Sequence, residues 1–191
     1  MRAWVGGYSG MSTKVLVGQT VDLPQGVSAT LDARQLKVQG PLGIVRKDFD
    51  RINVELAVEA NKIVITPFSR KKGDAIVSNT VHSLVRNMLR GVTKGYEYRL
   101  KIVYAHFPIS VKIKGPTVVV ENFVGERSPR TSKIIGDCKV TAEGDDIIVK
   151  GVSLEDVGQT AANVELATRI KRKDQRIFLD GIYIYQKKEG W

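Results

Sequence analysis

Residues 74–91, DAIVSNTVHSLVRNMLRG, decide how the rest of the chain is read. Val77, Val81, Leu84, Val85 and Met88 recur at i, i+4, i+7, i+8 and i+11, so they share one face of an α-helix, and that face must be buried. Asp74 stands where an N-cap belongs, and Gly91 where the residue past the last turn belongs. On either side the period changes. Upstream, short strand-like runs at 15–22, 27–31, 36–39, 43–47, 53–58 and 62–66 are separated by Pro24-Gln25-Gly26, Gly40-Pro41 and the tight pair Ala60-Asn61. Downstream, 96–104 is a strand again. A helix set among strands joined by short turns covers one face of a mainly antiparallel sheet.

The second half repeats this order. Strands are expected near 109–113, 117–121, 138–142 and 147–150, then a helix opening at Ser153-Leu154-Glu155-Asp156, where Ser153 and Asp156 resemble a capping box. Leu154, Val157, Ala161 and Val164 form its apolar face, and a closing strand runs through 182–185. Landmarks keep a nearly constant offset: 84 residues from Pro24 to Pro108 and from Ile63 to Ile147, and 86 from Gly95 to Gly181. The fold class is therefore α+β, in two tandem copies of a small domain, each a mainly antiparallel β-sheet with one long α-helix packed on one face. The expected limits are a flexible N-terminal extension at 1–13, an N-terminal domain at 14–105, a C-terminal domain at 106–186 and a basic tail at 187–191. Pro108 marks the boundary, because it restrains the residue before it and separates two runs of strand.

The charge points to a polyanion. Thirty Lys and Arg against twenty Asp and Glu leave the 191-residue chain at +10, with a pI near 9.7. No apolar run approaches the roughly 20 residues of a membrane helix. Cys138 is the only cysteine, which excludes an intrachain disulfide and a thiolate zinc site. The cations are clustered. RIKRKDQR at 169–176 packs Arg169, Lys171, Arg172, Lys173 and Arg176 into eight positions, and Asp174 can neutralise one of them. Such a loop faces solvent or phosphates. The apolar and aromatic run at 178–185 behind it is the strand that anchors it, with Phe178, Ile182 and Ile184 in the core. Further clusters are Arg70-Lys71-Lys72 before the first helix, Arg86, Arg90 and Lys94 along and after it, Arg127, Arg130 and Lys133, and Lys187-Lys188. Tyr96, Tyr98 and Tyr104 beside Lys94, Arg99 and Lys101 are either a surface for stacking unpaired bases or ordinary core and edge residues.

Signatures of chemistry are missing. The chain has no P-loop, no GxSxG elbow, no HExxH and no GxGxxG between a strand and a helix. His82 within the helix and His106 beside Phe107-Pro108 are structural, and Asp145-Asp146 stand in a turn after Gly144. No catalytic residue, metal ligand, cofactor or small-molecule substrate is expected.

Three segments carry a resemblance: 87–96 (NMLRGVTKGY), 104–109 (YAHFPI), and Arg172-Lys173-Asp174 through Asp180-Gly181-Ile182-Tyr183. In this order they closely resemble the large-ribosomal-subunit protein six family, number nine in eukaryotes, in its archaeal and eukaryotic branch. The likeness runs from about Lys14 to Lys188. One departure is Leu166, where many members carry Gln. The resemblance implies a duplicated α+β fold and a structural, non-enzymatic role in the large subunit. It also implies binding of large-subunit ribosomal RNA near the sarcin-ricin loop, at the stalk base, with other large-subunit proteins as neighbours and translational GTPases docking nearby. A cytoplasmic ribosome is the implied location, with transient nucleolar assembly in a eukaryote. Carried over by motif, the RNA ligands are Arg169, Lys171, Arg172, Lys173 and Arg176, followed by Lys187 and Lys188. Arg127, Arg130, Lys133, Arg70, Lys71, Lys72 and Lys94 join them on charge alone. A free RNA-binding regulator on the same fold, and a basic enzyme on an unrecognised scaffold, are the competing readings.

Overall fold

The computed structural model describes residues 18–69, 71–105, 107–171, 174 and 176–191. The N-terminal extension at 1–13, the start of the first strand, Arg70, His106, Arg172 and Lys173 lie outside the described residues. The first unit runs β1 (Gln19–Asp22), β2 (Ser28–Asp32), β3 (Gln35–Gly40), β4 (Gly43–Asp48), β5 (Val54–Glu59), β6 (Lys62–Pro67) and α1 (Lys72–Thr93). Its strands form two antiparallel sheets, β2-β3-β4 and β1-β6-β5. Alternation does the work expected of it: Leu36 and Val38 of β3 and Ile63 and Ile65 of β6 are fully buried, against Val81, Val85 and Val92 of α1.

The second unit runs β7 (Tyr96–Val103), β8 (Ser110–Lys114), β9 (Thr117–Glu121), β10 (Arg130–Lys133), β11 (Lys139–Glu143), β12 (Asp146–Gly151), α2 (Leu154–Ala167) and β13 (Gly181–Glu189). Its sheets are β10-β9-β8 and β11-β12-β7-β13, again antiparallel throughout. Leu100, Ile147, Val149, Val157, Ala161, Val164 and Ile182 make its core. The Ser153 hydroxyl caps α2 by accepting from the Asp156 amide at 3.3 Å, the forward half of the expected box. The α+β class and the duplication stand as expected.

Three expectations need correction, and one strand went unforeseen. First, β7 does not close the first unit. It pairs with β12 and β13, and its Tyr96, Leu100 and Ile102 lie in the second core, so the cores part between Val92 and Tyr96 and not near residue 105. Second, α1 extends beyond both expected ends. Lys71 holds the N-cap position, and Asp74 sits in the first turn, where it accepts from the Ser69 hydroxyl. Gly95, at φ +76°, makes the left-handed exit with its amide on Gly91 O at 3.0 Å. Gly91 is instead buried inside the helix, where a Cβ would meet the Val152 carbonyl oxygen at 1.9 Å. It is a contact point between the two units. Third, β10 has no apolar alternation to announce it. Arg-Thr-Ser-Lys becomes a strand by pairing with β9 beneath α2, with Ser132 buried. Fourth, β13 passes through a bulge at Tyr185 and continues to Glu189, so Lys187 and Lys188 belong to a strand and not to a tail.

The junction has several polar ties. Lys47 hydrogen-bonds Glu155, Arg90 Nη1 reaches Glu189 Oε1 at 2.9 Å, and the Gly190 amide donates to Gly95 O at 2.9 Å.

Candidate nucleic-acid interface

The loop between α2 and β13 is built from its two ends inward. At the helix end Thr168 is buried. Its hydroxyl donates to Glu165 O at 3.1 Å and accepts from the Ile182 amide at 3.0 Å, which ties the last turn of α2 to the first residues of β13. Ile170, 9% exposed, plugs the core behind the charged residues. At the strand end Asp174 forms a turn of its own. Its side chain accepts from the Arg176 amide at 2.9 Å, and its carbonyl accepts from Ile177 and Phe178 at 3.2 and 3.0 Å. Phe178 packs against the core, and Ile182 and Ile184 lie in or against it, as expected. Gly181, buried, begins β13, and a Cβ there would lie 2.9 Å from the tip of the Tyr183 ring.

Arg130 holds the loop from the side. Its Nε and Nη2 grip Glu126 at 2.8 and 2.6 Å, its guanidinium lies 4.2 Å from the Phe123 ring, and Nη1 donates to Ala167 O at 2.9 Å and Arg169 O at 3.2 Å. The cation thus sits on carbonyls that α2 leaves unsatisfied at its negative end. Its donors are engaged within the protein and one face lies on Phe123, with about a quarter of the side chain left exposed, so Arg130 is placed as a clamp that positions Arg169. The turn delivering Glu126 is strained to do so. Asn122 and Val124 are left-handed, at φ 61° and 52°, a conformation costing a β-branched residue about 1–2 kcal/mol. Buried Phe123 between them fixes it. Composition showed the cluster of cations but carried no signal that one of them was a clamp.

What remains for solvent is Arg169, Lys171 and Arg176, all exposed, the last with 94% of its side chain free and Asp174 at 3.9 Å as its ion-pair partner among the described residues. Arg127 stands exposed in the turn before Arg130, and Lys133 at the far end of β10 is exposed as well. The remaining expected ligands are scattered. Lys71 and Lys72 begin α1 and Lys94 follows its end, about 33 Å away along a 22-residue helix. Lys187 and Lys188 sit about 20 Å along β13 from its first residue, so one patch cannot hold them together with the loop. Lys187 lies 5.5 Å from the Tyr98 ring on the helix-facing side.

Lys188 faces the other way, onto an ion-pair network. Glu97, 3% exposed, is paired to Arg99 at 2.6 Å and Lys150 at 3.1 Å. Burial pushes the Glu97 carboxyl up, but hydrogen bonds and charge from these two cations outweigh it and hold the group below its ordinary 4.5. The same contact raises Arg99, with a smaller contribution from the Tyr185 phenol. Tyr96 and Tyr98 are core residues, and burial raises both phenols; Tyr104 is exposed. Burial likewise pushes the Cys138 thiol up to about 11, which keeps it protonated and unreactive at neutral pH. Asp145 and Asp146 serve the sheet: Asp145 O accepts from Ile102, and Asp146 pairs with Lys101 at 3.3 Å. No group of His, Cys, Asp and Glu among the described residues is arranged to hold a metal.

A duplicated α+β scaffold that offers a clamped cationic loop, with no metal cluster among the described residues, has the make-up of a binding protein for polyanions. A family model described as Ribosomal protein L6 matches residues 23–95 and again 107–181, once on each half. A large ribosomal subunit protein uL6 of Staphylothermus marinus is 46% identical over 171 residues, 87% of this chain and 92% of its own. Those of Aeropyrum pernix (42% over 179 residues, 93% and 98%) and Methanosarcina mazei (43% over 171 residues, 90% and 97%) are similar along nearly their whole length. The chain belongs to the ribosomal protein L6 family, whose members are structural and not enzymes.

Proposed function

We propose that this chain is a non-catalytic constituent of the large ribosomal subunit in the cytoplasm. In this reading its C-terminal loop holds large-subunit ribosomal RNA near the sarcin-ricin loop, at the base of the stalk where translational GTPases dock. The observation that carries it is the Arg130 clamp, which fixes the loop at its root and leaves Arg169, Lys171 and Arg176 facing outward with one carboxylate, Asp174, among them. Such cations hold phosphates and position a protein by RNA shape with little reading of bases. Arg172 and Lys173 belong to the same loop by sequence, and Arg127 extends it. Neutralising Lys171, Arg172 and Lys173 together weakens incorporation into large-subunit particles while the isolated chain keeps its melting temperature. Incorporation at the unmodified level refutes the loop as the RNA grip. Crosslinks from this loop to RNA elsewhere than the sarcin-ricin region refute the placement alone.

A further inference from the structure

A second site lies at the junction of the two units, away from the loop. The outer face of the β11-β12-β7-β13 sheet is ordered by its register into rows. One row reads Lys139, Lys150, Glu97, Lys188, three lysines around one buried carboxylate. Glu97 is already engaged by Lys150 and Arg99, and Lys139, directly opposite Lys150, has no carboxylate within ion-pairing distance among the described residues. Like charges placed opposite each other across a sheet are destabilising unless an anion lies between them. Beside this row is a cavity of about 270 Å³, floored by Leu42 and Val152, with Lys139 and Lys150 on one side, Asp137 at the rim and Trp191 as a wall. The Trp191 ring is pinned against Gly95, where a Cβ would lie 2.0 Å from it, yet 47% of the residue stays exposed. Lys94 adjoins Gly190 at the same end.

We propose that this pocket takes one unpaired nucleotide of an RNA, its base stacked on Trp191 and its phosphate between Lys139 and Lys150. A flat ring already packed against the Gly95 backbone offers its other face for stacking, and base–aromatic stacking tolerates any base because each has a π-face. Asp137 is placed to accept from a base amino or imino group. A base within a duplex cannot reach the ring, so the ligand is a bulged, looped or single-stranded nucleotide. An acidic peptide would satisfy the lysines but leave the ring without a planar partner. The site is at the opposite end of β13 from the basic loop and stands or falls separately from it.

The test uses the full chain with Trp4→Phe, which leaves Trp191 as the sole tryptophan, and with Arg169, Lys171, Arg172, Lys173 and Arg176 each replaced by Gln to silence the loop. A ten-nucleotide single-stranded RNA is titrated while Trp191 emission is followed, beside an abasic strand of equal length and an acidic decapeptide. The expected result is saturable quenching by the RNA alone. Trp191→Ala, followed by anisotropy of labelled RNA, weakens binding about tenfold, and Trp191→Phe recovers most of it. Lys139→Gln, at an exposed strand position that leaves the fold intact, weakens binding several-fold and lowers the salt slope by about one. Equal quenching by the abasic strand or the peptide, absence of quenching, or an unchanged affinity in Lys139→Gln overturns the site. Restoring the five loop cations leaves the quenching in place; quenching that appears only with the loop intact also overturns it.

Discussion

Replacing Gly91 with alanine sets two effects of opposite sign against each other. In an unencumbered helix interior the change stabilises by about 1 kcal/mol, because glycine has more backbone entropy to lose. At Gly91 the new methyl would lie 1.9 Å from Val152 O and 3.1 Å from both Val152 C and Tyr96 Cε2. A relaxed carbon–oxygen contact is about 3.3 Å or more, so the helix and the β12–α2 connection must part by over about 1 Å. The obstacle is main chain. Val152 lies between the paired Gly151 and the N-cap Ser153, so no side chain can rotate away, and the cost sits at the upper end of the 1–3 kcal/mol typical of overpacking, about 3 kcal/mol. The net is a loss of about 2 kcal/mol, or roughly 4–8 °C in melting temperature for a chain of this size. Calorimetry on Gly91→Ala beside Gly73→Ala decides it. Gly73 is also in α1, but nothing lies within 4 Å of its Cβ position, so its substitution is neutral or stabilising. A Gly91→Ala melting temperature at or above that of the parent refutes the reasoning.

Arg130→Met removes the clamp and is expected to cost about 3 kcal/mol in urea denaturation, from lost charge-assisted hydrogen bonds and the Phe123 contact. The salt slope of RNA binding should hold; a fall of about one would return Arg130 to the phosphate ligands. Glu97 has its carboxyl pKa depressed in the folded state, so its contribution is present above the unfolded value of about 4.3 and is lost as pH falls through the lower folded value. Glu97→Gln is therefore less stable than the parent at pH 7, by about 1–3 kcal/mol, and the gap narrows as pH falls below the unfolded value; a gap independent of pH would contradict the ion-pair account. With its pKa near 11, Cys138 should resist iodoacetamide at pH 7.5 in the native protein and react promptly once unfolded, and fast native labelling would show that its burial is overstated.

Much of the local structure was legible because it is written in local chemistry. The 3.6-residue spacing from Val77 to Met88 puts those residues on the inner or partly buried face of α1, and the alternation in β3 and β6 matches their burial. Ser153 caps α2 because a hydroxyl there meets an amide three residues on, whatever the rest of the chain does. The basic loop was visible because five cations in eight residues cannot be buried. What escaped were features set by partners distant in sequence. Arg-Thr-Ser-Lys is a strand only because β9 lies beside it, and Arg130 is a clamp only because Ala167 and Arg169 end within its reach. Gly91, in a position where glycine usually ends a helix, is glycine because Val152 of the other unit touches it.

The sequence by itself determined the class, the duplication, the helices and the cationic loop, since periodicity, turn chemistry and charge density act over a few residues. Tertiary structure alone decided where the units divide. The 86-residue offset makes β7 and β13 equivalent copies, one for each half, yet they lie side by side in a single sheet. Pairing depends on which edges meet in space, and β7 finds a longer partner in β13 and a buried one in β12, so it joins the second core. That choice brings Lys139, Lys150, Glu97 and Lys188 into one row and sets Trp191 against Gly95, a juxtaposition that no spacing along the chain foretells.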